Sequence, residues 1–198
     1  MINIYKIIKQ TEVEGPGKRF CIWVQGCKHR CEGCFAKDTW DTDVDKYMGA
    51  NDLLNMILYE KDIEGITFLG GEPFLQAREL SKIAKKVKEK DLSVLTFTGY
   101  IYEDLKTLND KYVNELLKYT DLLVDGPYIE SLKDFSRPWV GSKNQSYIFL
   151  SDRYSYNDIK KYKSKIEMRI NKEGNVIING MGNFNNLIDI LKGDRHGK

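Results

Sequence analysis

Between residues 65 and 124 the chain alternates short apolar runs with amphipathic helical stretches, and that alternation restricts the available folds more than any other feature. Residues 65–69 read as a buried strand, 76–90 as an amphipathic helix and 92–97 as a strand. Residues 101–119 read as a helix interrupted around Asn109 and Asp110, and 121–124 as a further strand. This β-α-β-α-β order favours parallel strands joined by crossover helices, with ligand sites in the loops beyond the carboxyl ends of the strands. Strands are also expected at 2–8 and 20–24, and a helix at 51–60. After Asp125 the pattern loosens through Pro127, Pro138 and Gly141 into a strand-like run at 146–150. A hairpin follows at 166–170 and 175–178, flanking the turn signal Lys172-Glu173-Gly174. Residues 193–198 are expected to fray.

A chain of 198 residues can bury a core of its own. No internal repeat or shift in composition marks a second domain, so a single domain spanning 1–198 is expected, with a core at about 11–150 and an extension at 151–198. The 31 basic residues are nearly balanced by 29 acidic ones, leaving a net charge of +2 that argues against a nucleic-acid footprint. The lysines between 82 and 90 read as a solvated helix face. Residues 1–10 alternate apolar and polar residues without the apolar stretch of a signal peptide, and no later run is long enough to span a bilayer. The expectation is a cytoplasmic protein with no membrane partner, in a compartment where cysteines serve as metal ligands or catalytic groups rather than disulfides.

All four cysteines lie between Cys21 and Cys34. Cys27, Cys31 and Cys34 have the spacing C-x3-C-x2-C, which lets a short loop deliver three thiolates to separate irons of one [4Fe-4S] cube and leave the fourth iron open. Zinc is the competing reading, with His29 completing a Cys3His set. Cys21 falls on a predicted strand and reads as a small buried hydrophobe. The strand at 65–69 runs directly into Gly70-Gly71-Glu72-Pro73. Two glycines there allow a sharp turn and close backbone approach to amino or carboxylate groups, although the same residues would serve an ordinary strand-to-helix turn. Asp125 ends a strand on the presumed active face and is the candidate catalytic acid; as a turn residue before Gly126-Pro127 it would be equally at home. Trp23, Trp40 and Trp139 read as core.

The three-cysteine loop together with Gly70-Gly71-Glu72-Pro73 resembles the radical S-adenosylmethionine (SAM) superfamily. The stretches 14–19, 24–27, 31–35 and 38–40, with Thr98-Gly99-Tyr100, 123–128 and 137–145, are similar to the anaerobic ribonucleoside-triphosphate reductase activating proteins. The resemblance covers about residues 11–150. Gly33 stands where radical SAM enzymes at large carry an aromatic residue, with Phe35 just after the third cysteine; glycine is usual in the activating proteins.

The resemblance implies an α/β fold, a partial (incomplete) TIM-like β/α barrel with parallel strands. It implies that Cys27, Cys31 and Cys34 anchor one [4Fe-4S] cluster, and that Gly70, Gly71, Glu72 and Pro73 fix the methionyl end of SAM. Thr98, Gly99 and Tyr100 would line the same pocket, and the backbone of Gly33, Cys34 and Phe35 would meet the adenine. One electron from a flavodoxin or ferredoxin would split SAM into methionine and a 5′-deoxyadenosyl radical. That radical would take a hydrogen from a backbone glycine of a glycyl-radical enzyme, most simply anaerobic ribonucleotide reductase. Another glycyl-radical enzyme or a peptide is the alternative target, and a non-catalytic zinc or iron-sulfur module the alternative outside enzymes. Residues after Ser151 exceed the family's smallest members and are where a different partner would be recognised. A side chain at position 71, as in Gly71→Val, is expected to weaken SAM binding more than cluster assembly.

Overall fold

The structure is a computed structural model and describes residues 1–182; the expected fraying at 193–198 lies outside them. Strand β1 (Ile2–Thr11) turns back through residues 12–18 into β2 (Arg19–Val24). That connection is too short for a crossover, so the two strands pair antiparallel. Then come a two-residue strand β3 (Tyr47–Met48), α1 (Ala50–Tyr59), β4 (Gly65–Gly70), α2 (Ala77–Lys88) and β5 (Ser93–Phe97). Next are α3 (Tyr102–Thr107), α4 (Lys111–Tyr119), β6 (Leu122–Asp125) and β7 (Ser146–Phe149), followed by α5 (Tyr156–Ile159), β8 (Ile166–Ile170) and β9 (Val176–Gly180).

The sheet order is β3-β1-β2-β4-β5-β6-β7, with β2, β4, β5 and β6 mutually parallel. The expectation of parallel strands therefore holds for the centre of the sheet, while its edges β1, β3 and β7 run antiparallel. At the β7 edge the reason is again the connection: residues 126–145 contain a single 3-10 turn and no crossover helix. Strands β8 and β9 form a separate hairpin.

Side-chain alternation gives the sheet two different faces. Phe20, Ile22, Val24, Ile66, Phe68, Val94 and Leu123 point to one side, where they join Leu53, Leu80, Ile83, Val87 and Leu116 of the helices in the main core. In α2 the buried residues fall at helical spacing, while Lys82, Lys85 and Lys86 face outward, so these lysines are a solvated face. The other side carries Cys21, Trp23 and Leu69, then Leu95, Leu122 and Val124, the last three covered by Trp139, Val140 and Ile159. The predicted helix break is real: Asn109 has φ +49°, and Asp110 caps α4 by accepting from the backbone of Tyr112 (2.7 Å) and Val113 (3.0 Å). Among the described residues no helix is long and apolar enough to cross a membrane.

Opposite the loops that follow the parallel strands, at their amino ends, Arg19 is fully buried. Its guanidinium donates to Thr67 Oγ1 (2.7 Å), Pro16 O (3.0 Å), Ser93 Oγ (3.0 Å) and the Ile66 carbonyl, joining β2, β4 and β5. A planar fork of five donors meets those acceptors in several directions, which an ammonium cannot do. Arg19→Met would strand these buried oxygens and is predicted to destabilise the fold by about 3 kcal/mol, with Arg19→Lys recovering little. Urea unfolding midpoints test this; a loss under about 1 kcal/mol would mean the cluster of oxygens is solvated another way.

Candidate active site

Beyond Val24 the chain leaves the sheet in a loop closed at its neck. Gly26 donates to Thr39 O (2.7 Å) and Cys27 to Trp40 O (3.1 Å), while Gln25 Nε2 reaches the carbonyls of Asp38 (3.2 Å) and Asp41 (2.8 Å). Thr39 is fully buried and donates to Ala36 O at 2.7 Å. Cys27, Cys31 and Cys34 are free, half-buried thiols lining one cleft of about 510 Å³. Burial pushes the Cys27 and Cys31 thiols up; backbone N–H groups of His29 and Arg30 oppose this at Cys27, and that of Tyr128 at Cys31. Ala36 N–H meets Cys34 Sγ at 3.4 Å.

Three unpaired sulfurs on one clamped loop, each met by backbone N–H groups, suit a cubane held by three cysteines. Cys21 is buried in β2 among Ile8, Trp23 and Leu69, its thiol pushed far up by burial. Among the described residues no three His, Cys, Asp or Glu side chains converge to hold a single metal ion. His29, which a zinc site would need, lines the same cleft, but its ring packs edge-on to Tyr100 (4.5 Å), and Nε2 lies 3.4 Å from Glu72 without hydrogen-bond geometry.

Glu72 is 1% exposed, and its carboxylate joins three loops. Oε1 accepts from Phe74 N (3.0 Å) and Thr98 Oγ1 (2.9 Å), and Oε2 from Gly99 N (2.8 Å), beside His29 of the cysteine loop. The Glu72 carboxylate thus holds the Gly70–Pro73 turn to the Thr98–Tyr100 turn. Backbone bonds tie the same turn to the cysteine loop, Gly71 N to Val24 O and Glu72 N to Gly26 O, both 2.8 Å. Gly70 carries the positive φ (+100°), and Gly71 does not. The demand at Gly71 is close packing: a Cβ there would collide with the Gly26 carbonyl and lie 2.9 Å from that of Val24. The expectation that a side chain at 71 spares the cluster is therefore revised, because it would press on the root of the cysteine loop. Gly99 is tight for a similar reason, with His29 Cδ2 2.6 Å from a Cβ at that position.

Gly33 (φ +74°) packs against Glu130 and Tyr128, and Phe35 sits at the rim, 5.8 Å from the rings of both Tyr128 and Phe135. Residues 126–145 wall one side of the cleft and are largely self-bonded, as where Gln145 Oε1 accepts from Gly141 N (2.7 Å). Asp125 is buried at the end of β6, where Oδ2 accepts from Tyr102 N (2.8 Å) at the start of α3. Gly126, its neighbour, lines the cleft and donates to Tyr100 O at 2.9 Å.

The cleft continues past Trp23, Leu69 and Phe97 to a polar end that the motifs gave no sign of, where Lys6, Glu14 and Asn179 meet. Burial pushes the Glu14 carboxyl up to about 7, opposed by Gly180 N–H, Asn179 and Lys6. Glu14 belongs to the 14–19 stretch and could have been flagged; Asn179 carries no sequence signal.

A family profile described as a 4Fe-4S single cluster domain matches residues 13–148. The anaerobic ribonucleoside-triphosphate reductase-activating protein of Enterobacteria phage T4 is 36% identical over 152 residues, 73% of this chain and 92% of that one. This chain belongs to the anaerobic ribonucleoside-triphosphate reductase-activating family. The Haemophilus influenzae member is 32% identical over 73% of this chain and 96% of its own. Pyruvate formate-lyase-activating enzyme of Clostridium pasteurianum is 34% identical over 63% of this chain and 51% of its own. Among solved structures, QueE from Escherichia coli aligns at a TM-score of 0.42 and 20% identity over 50% of this chain and 52% of its own, too remote to carry an argument. The cofactors of this reductase-activating family member are one [4Fe-4S] cluster and SAM.

From the Gly71 packing, Gly71→Ala in this family member is predicted to lower the iron and sulfide retained after anaerobic reconstitution together with SAM affinity. Metal analysis beside calorimetry checks it. Full cluster content with SAM affinity lost would restore the view that the two loops act separately.

Proposed function

We propose that this chain removes a hydrogen atom from a backbone glycine of anaerobic ribonucleoside-triphosphate reductase, at a site built on Cys27, Cys31 and Cys34. The observation that carries this reading is that three free thiols line one cleft with Gly70, Gly71 and Glu72, in a member of the activating family. When bound, the cluster and SAM supply one-electron reductive cleavage of the sulfonium and the hydrogen-abstracting radical that results.

The chain's own residues bind, orient and exclude. Cys27, Cys31 and Cys34 would hold the cluster, and the Gly70–Pro73 turn would take the methionyl end of SAM beside it. Gly70 and Gly71 let the backbone come close to that group, with Pro73 starting the 3-10 turn behind it. Glu72 holds Thr98, Gly99 and the following Tyr100 against the pocket. The backbone of Gly33, Cys34 and Phe35 would meet the adenine, beside the packed rings of Phe35, Tyr128 and Phe135. Trp23, Leu69 and Phe97 wall the cleft with apolar surface, which keeps water from a reactive radical. Asp125 is a positioning residue that fixes the start of α3 and, through Gly126, the turn at Tyr100.

In this reading the sheet curls about the cleft as a partial TIM-like β/α barrel, in one domain with a core at about 11–150 and an extension at 151–198. The protein works in the cytoplasm and draws its electron from a flavodoxin or ferredoxin. A second reading, with pyruvate formate-lyase as the partner, has the Clostridium pasteurianum likeness in its favour.

Alanine at Cys27, Cys31 or Cys34 is predicted to abolish 5′-deoxyadenosine formation under strong reductant, whereas Cys21→Ala leaves it largely intact. With wild-type protein, SAM and the reductase, electron paramagnetic resonance should show a glycine-centred doublet on the large partner. SAM cleavage without a radical on the reductase would move the target elsewhere, and cluster loss in Cys21→Ala would overturn the assignment of three ligands.

A further inference from the structure

One wall of the polar end of the cleft is built by a segment outside the family match. The profile covers residues 13–148, and β8 and β9 lie beyond it. The hairpin nonetheless packs onto the core: Gly180 N–H donates to Glu14 Oε1 (2.6 Å), Thr11 Oγ1 to Glu167 Oε2 (2.7 Å) and Asn179 Nδ2 to Thr11 Oγ1 (3.2 Å). Gly180 has φ +98° and lies against the Lys165 carbonyl, so the strand end that carries Asn179 has little freedom. Ile178, Asn179, Gly180 and Met181 thereby line the same cleft as the three cysteines.

Asn179 is 5% exposed, and its Oδ1 has no hydrogen-bond partner. A buried amide oxygen without a donor is costly, and such atoms in native folds ordinarily meet a ligand or water. Its Nδ2 is already used on Thr11, which leaves Oδ1 to accept. Lys6 lines the same end of the cleft, its Nζ 4.2 Å from the centre of the Trp23 ring, and ammonium can only donate. An acceptor and a donor together at the end of an apolar channel match the N–H and C=O of a peptide backbone, whatever its side chains.

We propose that Asn179 and Lys6 form a subsite for the main chain of the target segment, Asn179 Oδ1 accepting a peptide N–H and Lys6 Nζ donating to a peptide carbonyl. The β8–β9 hairpin is then the element through which this chain recognises its own partner. This inference rests on the glycyl-radical activation reading.

The test uses cluster-loaded full-length protein with SAM and, as probe, a fluorescent 15-residue peptide spanning the target glycine of the cognate reductase. Asn179→Leu keeps the branched shape and removes the acceptor, together with the Nδ2 bond to Thr11. It should weaken peptide binding about tenfold, the value of one hydrogen bond, and raise the KM for intact reductase. SAM affinity and SAM cleavage in the absence of partner should match wild type. N-methylation of a single peptide nitrogen should reproduce the loss in wild type and add nothing in Asn179→Leu. Unchanged peptide binding and KM in Asn179→Leu would overturn the inference while leaving activation intact, and a fall in SAM affinity instead would assign Asn179 to the cofactor. Wild-type protein that puts no radical on the reductase would overturn the activation reading itself.

Discussion

The buried carboxylate of Glu72 is the constraint on which the rest of the site depends. It lies at the carboxyl end of β4, the central parallel strand, and accepts hydrogen bonds from its own turn and from the turn after β5, with the cysteine loop's histidine beside it. Strand ends in a parallel sheet place loops near one another but do not fix them. Here one acidic side chain, with the backbone bonds of Gly71 and Glu72, turns three such loops into a single rigid cradle. The glycines follow from this: a side chain at Gly71 would meet fixed backbone, and one at Gly99 would have to displace the His29 ring.

Rigidity at the cleft is matched at the other end of the strands by Arg19, whose buried cation joins β2, β4 and β5 through neutral oxygens. The two devices divide the sheet. The amino end is closed by a hydrogen-bonded guanidinium, and the carboxyl end is open to ligands. That polarity is the usual one for parallel α/β sheets.

Much of the core was legible because each signal was local. The apolar pattern of α2, the Asn109-Asp110 break and the Lys172-Glu173-Gly174 turn each followed from residues within a few positions, and Gly174 does take φ +82°. The edges were harder. Whether β1 and β7 run with or against their neighbours depends on what the connections hold, and β3, two residues long, has no pattern to read. In the site, the cysteine spacing was plain, but the bonds that the Glu72 carboxylate accepts from the Thr98–Gly99 turn were not. Nothing short of the tertiary structure could reveal that, since Thr98 and Gly99 are 26 and 27 residues away. Asn179 was invisible for the same reason, being brought to the cleft by a hairpin more than a hundred residues from Lys6.

The central claim, that Glu72 organises the site by holding loops together, is tested most directly by the SAM affinity of cluster-loaded Glu72→Gln, titrated anaerobically by calorimetry with circular dichroism on the same sample. Glutamine keeps the shape but turns one acceptor into a donor facing the N–H or hydroxyl groups that the carboxylate now satisfies. The account predicts native secondary structure with SAM affinity lowered by roughly thirtyfold or more. Affinity within about threefold of wild type would contradict it.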